Sequence, residues 1–369
     1  MLNRLYIKNF KALKEADFSL GKLNLLAGIN GMGKSSFVQV LLLLKQSQSR
    51  IGDGLLTLNN PEFAALGKGR DIFYQFSEEK FISFGLENEE DMSRHWHFEY
   101  HADRENLQSK ERHDYSQLVE HFNLFSDNFQ YLNAERIGPR PSYSSSSYYI
   151  ENLKQIGSKG EYAVHYLNVF GTSEKILSDY LHHPKARSRS LIHEVDAWLG
   201  EISPGTKLNT MAVPGTEMVL LDIRFETKTD YTNHFRPVNV GFGICFVLPV
   251  VLALLMVKKD RLIIVENPEA HLHPRGQAQM GRLMALAAKA GAQIIAETHS
   301  DHILNGVRVA VKNDEIPNDD ARIFFFDRKT SDHEQYSHVT SIKIDQKGEL
   351  SEYPPNFLDE WNNQLFKLI

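Results

Sequence analysis

Hydrophobic and polar residues alternate through the first 27 residues, in RLYIKNF, ADFSL and KLNLLAG. A period of two predicts short strands joined by polar turns. A glycine-rich stretch follows, then SSFVQVLLLLKQSQS, whose length and broad apolar face predict a helix. Alternation returns between residues 71 and 100, in KFISFGLEN and HWHFEYH, and predicts further strands. The interval 101–130 is charged and partly helical in pattern. FQYLNAERIGPRPSYSSSSYY opens as a strand, breaks at Gly138-Pro139 and runs into a serine-rich loop. Helical patterns recur between 158 and 200, in GEYAVHYLNVF and SLIHEVDAWLGEI, and EMVLLDIRFET predicts a strand.

From residue 238 the order is regular. A glycine-rich turn leads to an apolar helix, then strand Leu262–Glu266, helix Gln277–Lys289, strand Gln293–Glu297, helix 301–312 and strand RIFFFD. Strands and helices alternating at this length predict an α/β fold with a parallel sheet covered on both faces. The longest apolar run, Phe246 to Val257, is too short to cross a bilayer and contains Pro249, so it predicts a buried helix. There is no internal repeat and no heptad run of coiled-coil length.

Composition narrows the class. The hydrophobic share of 42% and charged share of 24% are those of an ordinary globular protein, with chain enough for one large domain or two. A net charge of −6 excludes a surface uniformly attractive to nucleic acid. The local run Lys185–Arg189 admits a basic patch for nucleic acid, though such a run is more often a solvated loop. The single cysteine, Cys245, excludes an intramolecular disulfide. With an N-terminus that has no apolar signal-peptide core, this predicts a cytoplasmic protein with no membrane partner.

Residues 262–274, LIIVENPEAHLHP, admit two chemistries. Glu269, His271 and His273, with Glu266 or with His299, Asp301 and His302, have donors for a transition metal. Alternatively, Glu266 ends a buried strand and serves magnesium beside a nucleotide. The choice is made upstream, where residues 28–36 read Gly-Ile-Asn-Gly-Met-Gly-Lys-Ser-Ser between a predicted strand and a predicted helix. Gly28, Gly33, Lys34 and Ser35 fit the phosphate-loop pattern, with Asn30, Gly31 and Ser36 in the same cradle. Glycines let backbone N–H groups curl around phosphate oxygens, and the helix N-terminus adds partial positive charge. In this reading Lys34 reaches the β- and γ-phosphates, and the Ser35 hydroxyl and the Glu266 carboxylate hold Mg²⁺ beside ATP. His299, at the tip of the strand QIIAE, is placed to sense the γ-phosphate or the attacking water.

These residues resemble the ABC-type ATPases of the SMC, RecF and OLD group. LYIKNFKAL and LNLLAGINGMGKSS are similar to the start of such proteins, VENPEAHLHP to their Walker B region, and AETHSDHIL to their switch-histidine motif. VNVGFGICFVLPVV lies where the group carries its signature, and the tail GELSEYPPNFLDEWNNQL resembles short OLD-like predicted ATPases found beside nucleases in bacterial defence loci. The resemblance implies an ABC-type head with a mostly parallel core sheet, an N-terminal antiparallel β subdomain and a helical lobe. Residues 1–135 with 256–330 would form the nucleotide-binding lobe, 136–255 the helical and signature lobe, and 331–369 a tail extension.

It also implies a head-to-tail homodimer, or a higher homo-oligomer, with ATP sandwiched between protomers. Gly241 and Gly243 of one chain would then offer N–H groups to the γ-phosphate held by the other, while Asn30 probes it in cis. Two departures stand out. Cys245 and Phe246 lie near where the signature usually has Ser and Gln, and Asn267 stands where many relatives have the catalytic glutamate. An amide holds a water but accepts no proton, and losing a general base costs ~10²–10⁴ in rate. Glu269 is the nearest alternative acid. The expectation is slow hydrolysis and a long-lived ATP-bound dimer.

OLD nucleases carry a fused TOPRIM domain, but the chain after His302 is shorter than an ordinary domain of ~100–150 residues. A partner nuclease is therefore expected on a separate chain, with DNA a candidate ligand. The competing readings are a self-sufficient DNA-binding ATPase of the RecF kind and a His/Glu metal-dependent hydrolase.

Overall fold

In the strand Leu2–Phe10 the buried Leu5 and Ile7 alternate with the half-buried Tyr6 and Lys8, as a period of two requires, while a register shift between Leu2 and Arg4 leaves both Asn3 and Arg4 exposed. The computed structural model describes residues 1–357 and 364–368. Strand Leu2–Phe10 pairs antiparallel with Leu13–Ser19 on one side and Phe81–Asn88 on the other, and Ser93–Glu99 completes a four-stranded sheet. Strand Leu23–Gly28 is buried along nearly its whole length, so its apolar residues run together instead of alternating. Ala321–Thr330 lies beside it and pairs antiparallel with Gln335–Lys343. Phe18, on the second strand, meets Phe37 and Phe324 edge to face, with ring centroids 4.7 and 5.3 Å away. Phe37 lies on the helix Lys34–Gln46, so these rings join helix and strands in one core. All belong to the first of two compact units, Met1–Phe129 with Arg322–Ile344 and Leu350–Ile369.

The second unit is Gln130–Ala321 with Asp345–Glu349. Its centre is the parallel pair Leu262–Glu266 and Gln293–Glu297, in register from Leu262 opposite Gln293 to Glu266 opposite Glu297. Phe129–Leu132 flanks the first of these strands. Helices Pro274–Lys289 and Asp301–Lys312 follow the two strands in sequence. Helix Phe242–Leu255 is buried from Ile244 onward with Pro249 inside it. Helices Ala163–Phe170 and Leu191–Ile202 accompany a three-stranded antiparallel sheet of Thr206–Ala212, Met218–Phe225 and Tyr143–Ser144. The fold is α/β, with parallel and antiparallel sheets.

Three differences from the sequence expectation have local causes. Thr206–Ala212 and Gln335–Lys343 were not expected as strands; both are largely polar and are specified by antiparallel neighbours. The serine-rich loop contributes Tyr143–Ser144 to a sheet edge. The apolar helix begins at Phe242, four residues earlier than its apolar run, because Gly241 supplies an extended N-cap. The tail motif at 348–365 includes residues 358–363, which lie outside the described residues. Among the described residues no helix is long and apolar enough to cross a membrane.

Candidate nucleotide-binding site

In the first unit the loop after strand Leu23–Gly28 turns on three glycines with φ of 132° at Gly28, 75° at Gly31 and 100° at Gly33. L-residues with side chains rarely occupy this region. Gly28 has a second constraint, because a Cβ there would collide with the backbone carbonyl of Phe326. A Cβ on Gly33 would lie 2.7 Å from the Ser337 hydroxyl, whereas one on Gly31 meets nothing within 4 Å. Gly31 therefore borders open space on the outer side of the turn.

Gly33 is the N-cap of helix Lys34–Gln46, whose first turn carries no acidic residue to offset its positive end. Lys34 is 3% exposed and folds back over the loop, its Nζ donating to the carbonyls of Gly28 at 2.7 Å and Ile29 at 3.0 Å. Asn30, Gly31 and Ser35 are exposed and Ser36 is buried. Beside Gly31 opens a cavity of about 480 Å³ bordered by Lys11, Arg70, Tyr74, Phe76 and Arg328. Sequence reasoning missed this cavity, since its lining comes from five separated segments.

In the second unit Glu266 ends its strand with both carboxylate oxygens engaged. Oε1 accepts from the Tyr131 hydroxyl at 2.9 Å and Oε2 from the Ala134 N–H at 3.2 Å. Burial pushes the Glu266 carboxyl above its ordinary range, against the Tyr131 and Ala134 hydrogen bonds and the Arg136 charge. Asn267 has a φ of 47°, and its N–H donates to the Glu297 carbonyl at 2.8 Å. Asn is among the residues that tolerate this left-handed conformation, which gives the amide a conformational reason to be there. The Oδ1 atoms of Asn267 and Asn133 are both buried without a hydrogen-bond partner. Buried acceptors in that state mark a place for a cation or water.

Glu269 brackets two loops. Its Oε2 accepts from the Thr298 hydroxyl at 2.8 Å and its Oε1 from the His299 N–H at 2.7 Å. The loop carrying the exposed His299 ring is thereby held to the end of the acidic strand. Gly241 and Gly243 begin helix Phe242–Leu255. A Cβ on Gly243 would stand 2.7 Å from the His271 carbonyl, whereas one on Gly241 meets nothing within 4 Å.

The histidines do not assemble with the acids. His273 caps helix Pro274–Lys289 through Nδ1, and the His271 ring packs 4.7 Å from that of Phe246. Among the described residues no three His, Cys, Asp or Glu side chains are grouped to hold a metal ion. The transition-metal reading of Glu269, His271, His273, His299, Asp301 and His302 is corrected accordingly: His273 is a helix cap, the His271 ring packs on Phe246, and Glu269 brackets two loops. Glu266 offers carboxylate oxygens and the adjacent Asn267 an orphaned amide oxygen, a hard donor type that suits Mg²⁺ better than zinc. Tyr131, Asn133, Arg136 and Glu297 are the residues that sequence reasoning missed. YLNAERIGPR and AETHSDHIL were visible as motifs, but nothing in them stated their contacts.

A family model described as "AAA domain, putative AbiEii toxin, Type IV TA system" matches residues 23–305. A second, described as "Protein of unknown function (DUF3696)", matches residues 316–368. No curated protein matches the chain. Among solved structures, the SmcHead bound to the C-winged helix domain of ScpA aligns over 93% of this chain and 98% of its own, at 13% identity and a TM-score of 0.53. The Smc head domain with an extended coiled coil, bound to the C-terminal domain of ScpA derived from Pyrococcus furiosus, aligns over 100% of this chain and 99% of its own, at 12% identity and a TM-score of 0.53. At such identities the likeness is one of fold. The family match, across most of the sequence, shows that the chain belongs to the AAA-domain family so described, and its fold is similar to that of Smc head domains.

Proposed function

We propose that this protein binds ATP with Mg²⁺, hydrolyses it slowly as a dimer, and acts as a nucleotide-gated switch or scaffold for a separate nuclease subunit in bacterial anti-phage defence. The observation that carries the nucleotide reading is the loop at residues 28–36: three glycines in the left-handed region, a buried lysine folded over it, and a cavity beside Gly31. Phosphates would take the backbone N–H groups and Lys34, and base and ribose the cavity with its Tyr74 and Phe76 rings and its cations. By role, residues 1–135 with 256–330 hold nucleotide, 136–255 present the signature, and 331–369 form an extension.

Mg²⁺, held by Ser35 and Glu266 in this reading, supplies neutralisation of phosphate charge. Glu266 stays ionised more readily with a cation beside it. Asn267 orients the attacking water through its amide and takes no proton from it. Glu269 spends both oxygens on Thr298 and His299, so it positions His299 in this state and becomes a base only if those bonds open. Gly241 and Gly243 would approach the partner's γ-phosphate, with Asn30 probing it in cis. The defence setting is supported by the toxin-system description of the matching family. The RecF-like alternative, a DNA-binding ATPase working alone, is tested by whether DNA stimulates turnover of the isolated protein.

The deciding experiment is ATP binding and turnover for the wild type, Lys34→Ala, Asn267→Glu and Glu269→Gln. Lys34→Ala should abolish binding, and Asn267→Glu should raise turnover at least tenfold, towards the ~10²–10⁴ that a general base contributes. If Asn267→Glu changes nothing while Glu269→Gln abolishes hydrolysis, Glu269 is the base and the slow switch loses its motive.

A further inference from the structure

Arg136 is 3% exposed, and every hydrogen bond it donates among the described residues goes to a main-chain carbonyl. Its Nη1 reaches Asn133 at 3.0 Å and Glu266 at 2.5 Å, its Nη2 reaches Asn267 at 2.7 Å, and its Nε reaches Phe246 at 3.2 Å. The guanidinium also lies 5.2 Å from the centroid of the Phe246 ring. One planar cation thus joins three segments: the turn after Phe129–Leu132, the helix that starts at Phe242, and the end of the strand that carries Glu266. Burial lowers the pKa of this guanidinium to about 10, against the Glu269 and Glu266 carboxylates, which favour its charge.

The arrangement exceeds what filling a hole requires. Neutralising a carboxylate would take one contact, whereas here successive carbonyls, of Glu266 and Asn267, are gripped by the two arms of one rigid fork. The remaining nitrogen holds a carbonyl five residues after Gly241, in the helix whose first turn carries Gly243. A shift of that helix start therefore pulls on the peptide between the acidic residue and the amide beside it.

We infer that Arg136 is a positioning residue that ties the start of helix Phe242–Leu255 to the carboxyl end of strand Leu262–Glu266, so that signature engagement sets the placement of Glu266 and Asn267. The kinetic part rests on the ATPase reading above; the mechanical tie does not. Lysine at this position keeps the charge but has no fork, so Arg136→Lys is the informative variant. Amide exchange in the segments 242–250 and 265–272 should rise about tenfold or more together, while residues 34–46 stay as in the wild type. In turnover, kcat should fall by about 10–100-fold with nucleotide affinity changed less than about twofold. Phe246→Leu, which keeps the fork and removes the ring, should speed exchange at 265–272 by about threefold and covers the case in which Arg136→Lys fails to fold.

Loosening of one segment without the other overturns the tie. So does a kcat unchanged in a variant whose segments have both loosened, for that describes a plug that merely satisfies carbonyls. If the wild type binds and turns over no ATP, the ATPase reading fails, while the exchange results still decide the tie.

Discussion

Asp196 lies on helix Leu191–Ile202, 6% exposed, where its Oδ1 accepts the Leu208 N–H at 2.9 Å. Burial pushes its pKa up to about 6, against the Leu208 hydrogen bond and the charges of Lys207, Arg187 and Arg224. A carboxyl whose folded pKa is raised stabilises the fold at pH values below its unfolded pKa of about 4, and that stability is lost as pH rises towards about 6. Asn keeps the acceptor and cannot ionise. Asp196→Asn should therefore be more stable than the wild type by about 1–3 kcal/mol at pH 7.5, with the gap closing near pH 4. Urea denaturation of both proteins at the two pH values measures it, and an equal gap at both would contradict the assignment. The left-handed φ of 47° at Asn267 bears on the turnover variants in the same way. Glu is less at ease there, so Asn267→Glu should cost about 1 kcal/mol of stability even while it speeds hydrolysis.

Helices Pro274–Lys289 and Asp301–Lys312 pack with their backbones nearly in contact, and two glycines allow it. A Cβ on Gly281 would strike the Ile303 carbonyl, and one on Gly306 the Ala278 carbonyl. Helix propensity alone favours Gly306→Ala by about 1 kcal/mol. Overpacking against backbone that cannot rotate away costs about 1–3 kcal/mol or more, so the packing term prevails. The variant should lose stability by chemical denaturation and, because helix Asp301–Lys312 carries the Ser300 cap next to His299, should raise amide exchange around residues 298–303. Neither glycine was distinguishable in the sequence from a mildly unfavourable helix residue, since only the facing carbonyl gives it a purpose. At this scale the periodic elements were readable. Strands Leu262–Glu266 and Gln293–Glu297 and helix Asp301–Lys312 lie where their patterns placed them. Thr206–Ala212 buries only its first and third residues, so pairing with Met218–Phe225 specifies it and not its own pattern.

For the whole molecule, the proposed ATP sandwich predicts a change of mass. Light scattering after size exclusion should show wild type doubling its mass with ATP and Mg²⁺, and Lys34→Ala remaining at its nucleotide-free mass. A wild type whose mass is the same with and without nucleotide contradicts the gated dimer. Co-purification with a nuclease chain only in the ATP state would support the switch, and equal capture without nucleotide would reduce the protein to a scaffold.

The chain's local chemistry was determined by the sequence itself. A phosphate loop needs its glycines, lysine and serine within nine consecutive residues, because one turn of backbone must surround one phosphate group. The acid at the tip of an apolar strand was equally legible, since hydrophobic burial places the strand and its end follows. What surrounds that acid was decided only by tertiary structure. The Tyr131 hydroxyl, the Ala134 N–H and the Arg136 fork reach Glu266 and Asn267 from more than a hundred positions away in the chain. Periodicity and spacing describe neighbours along a helix or strand. They carry no information about which distant carbonyl a buried guanidinium will hold, and that depends on how the packed strands and helices bring the three segments together.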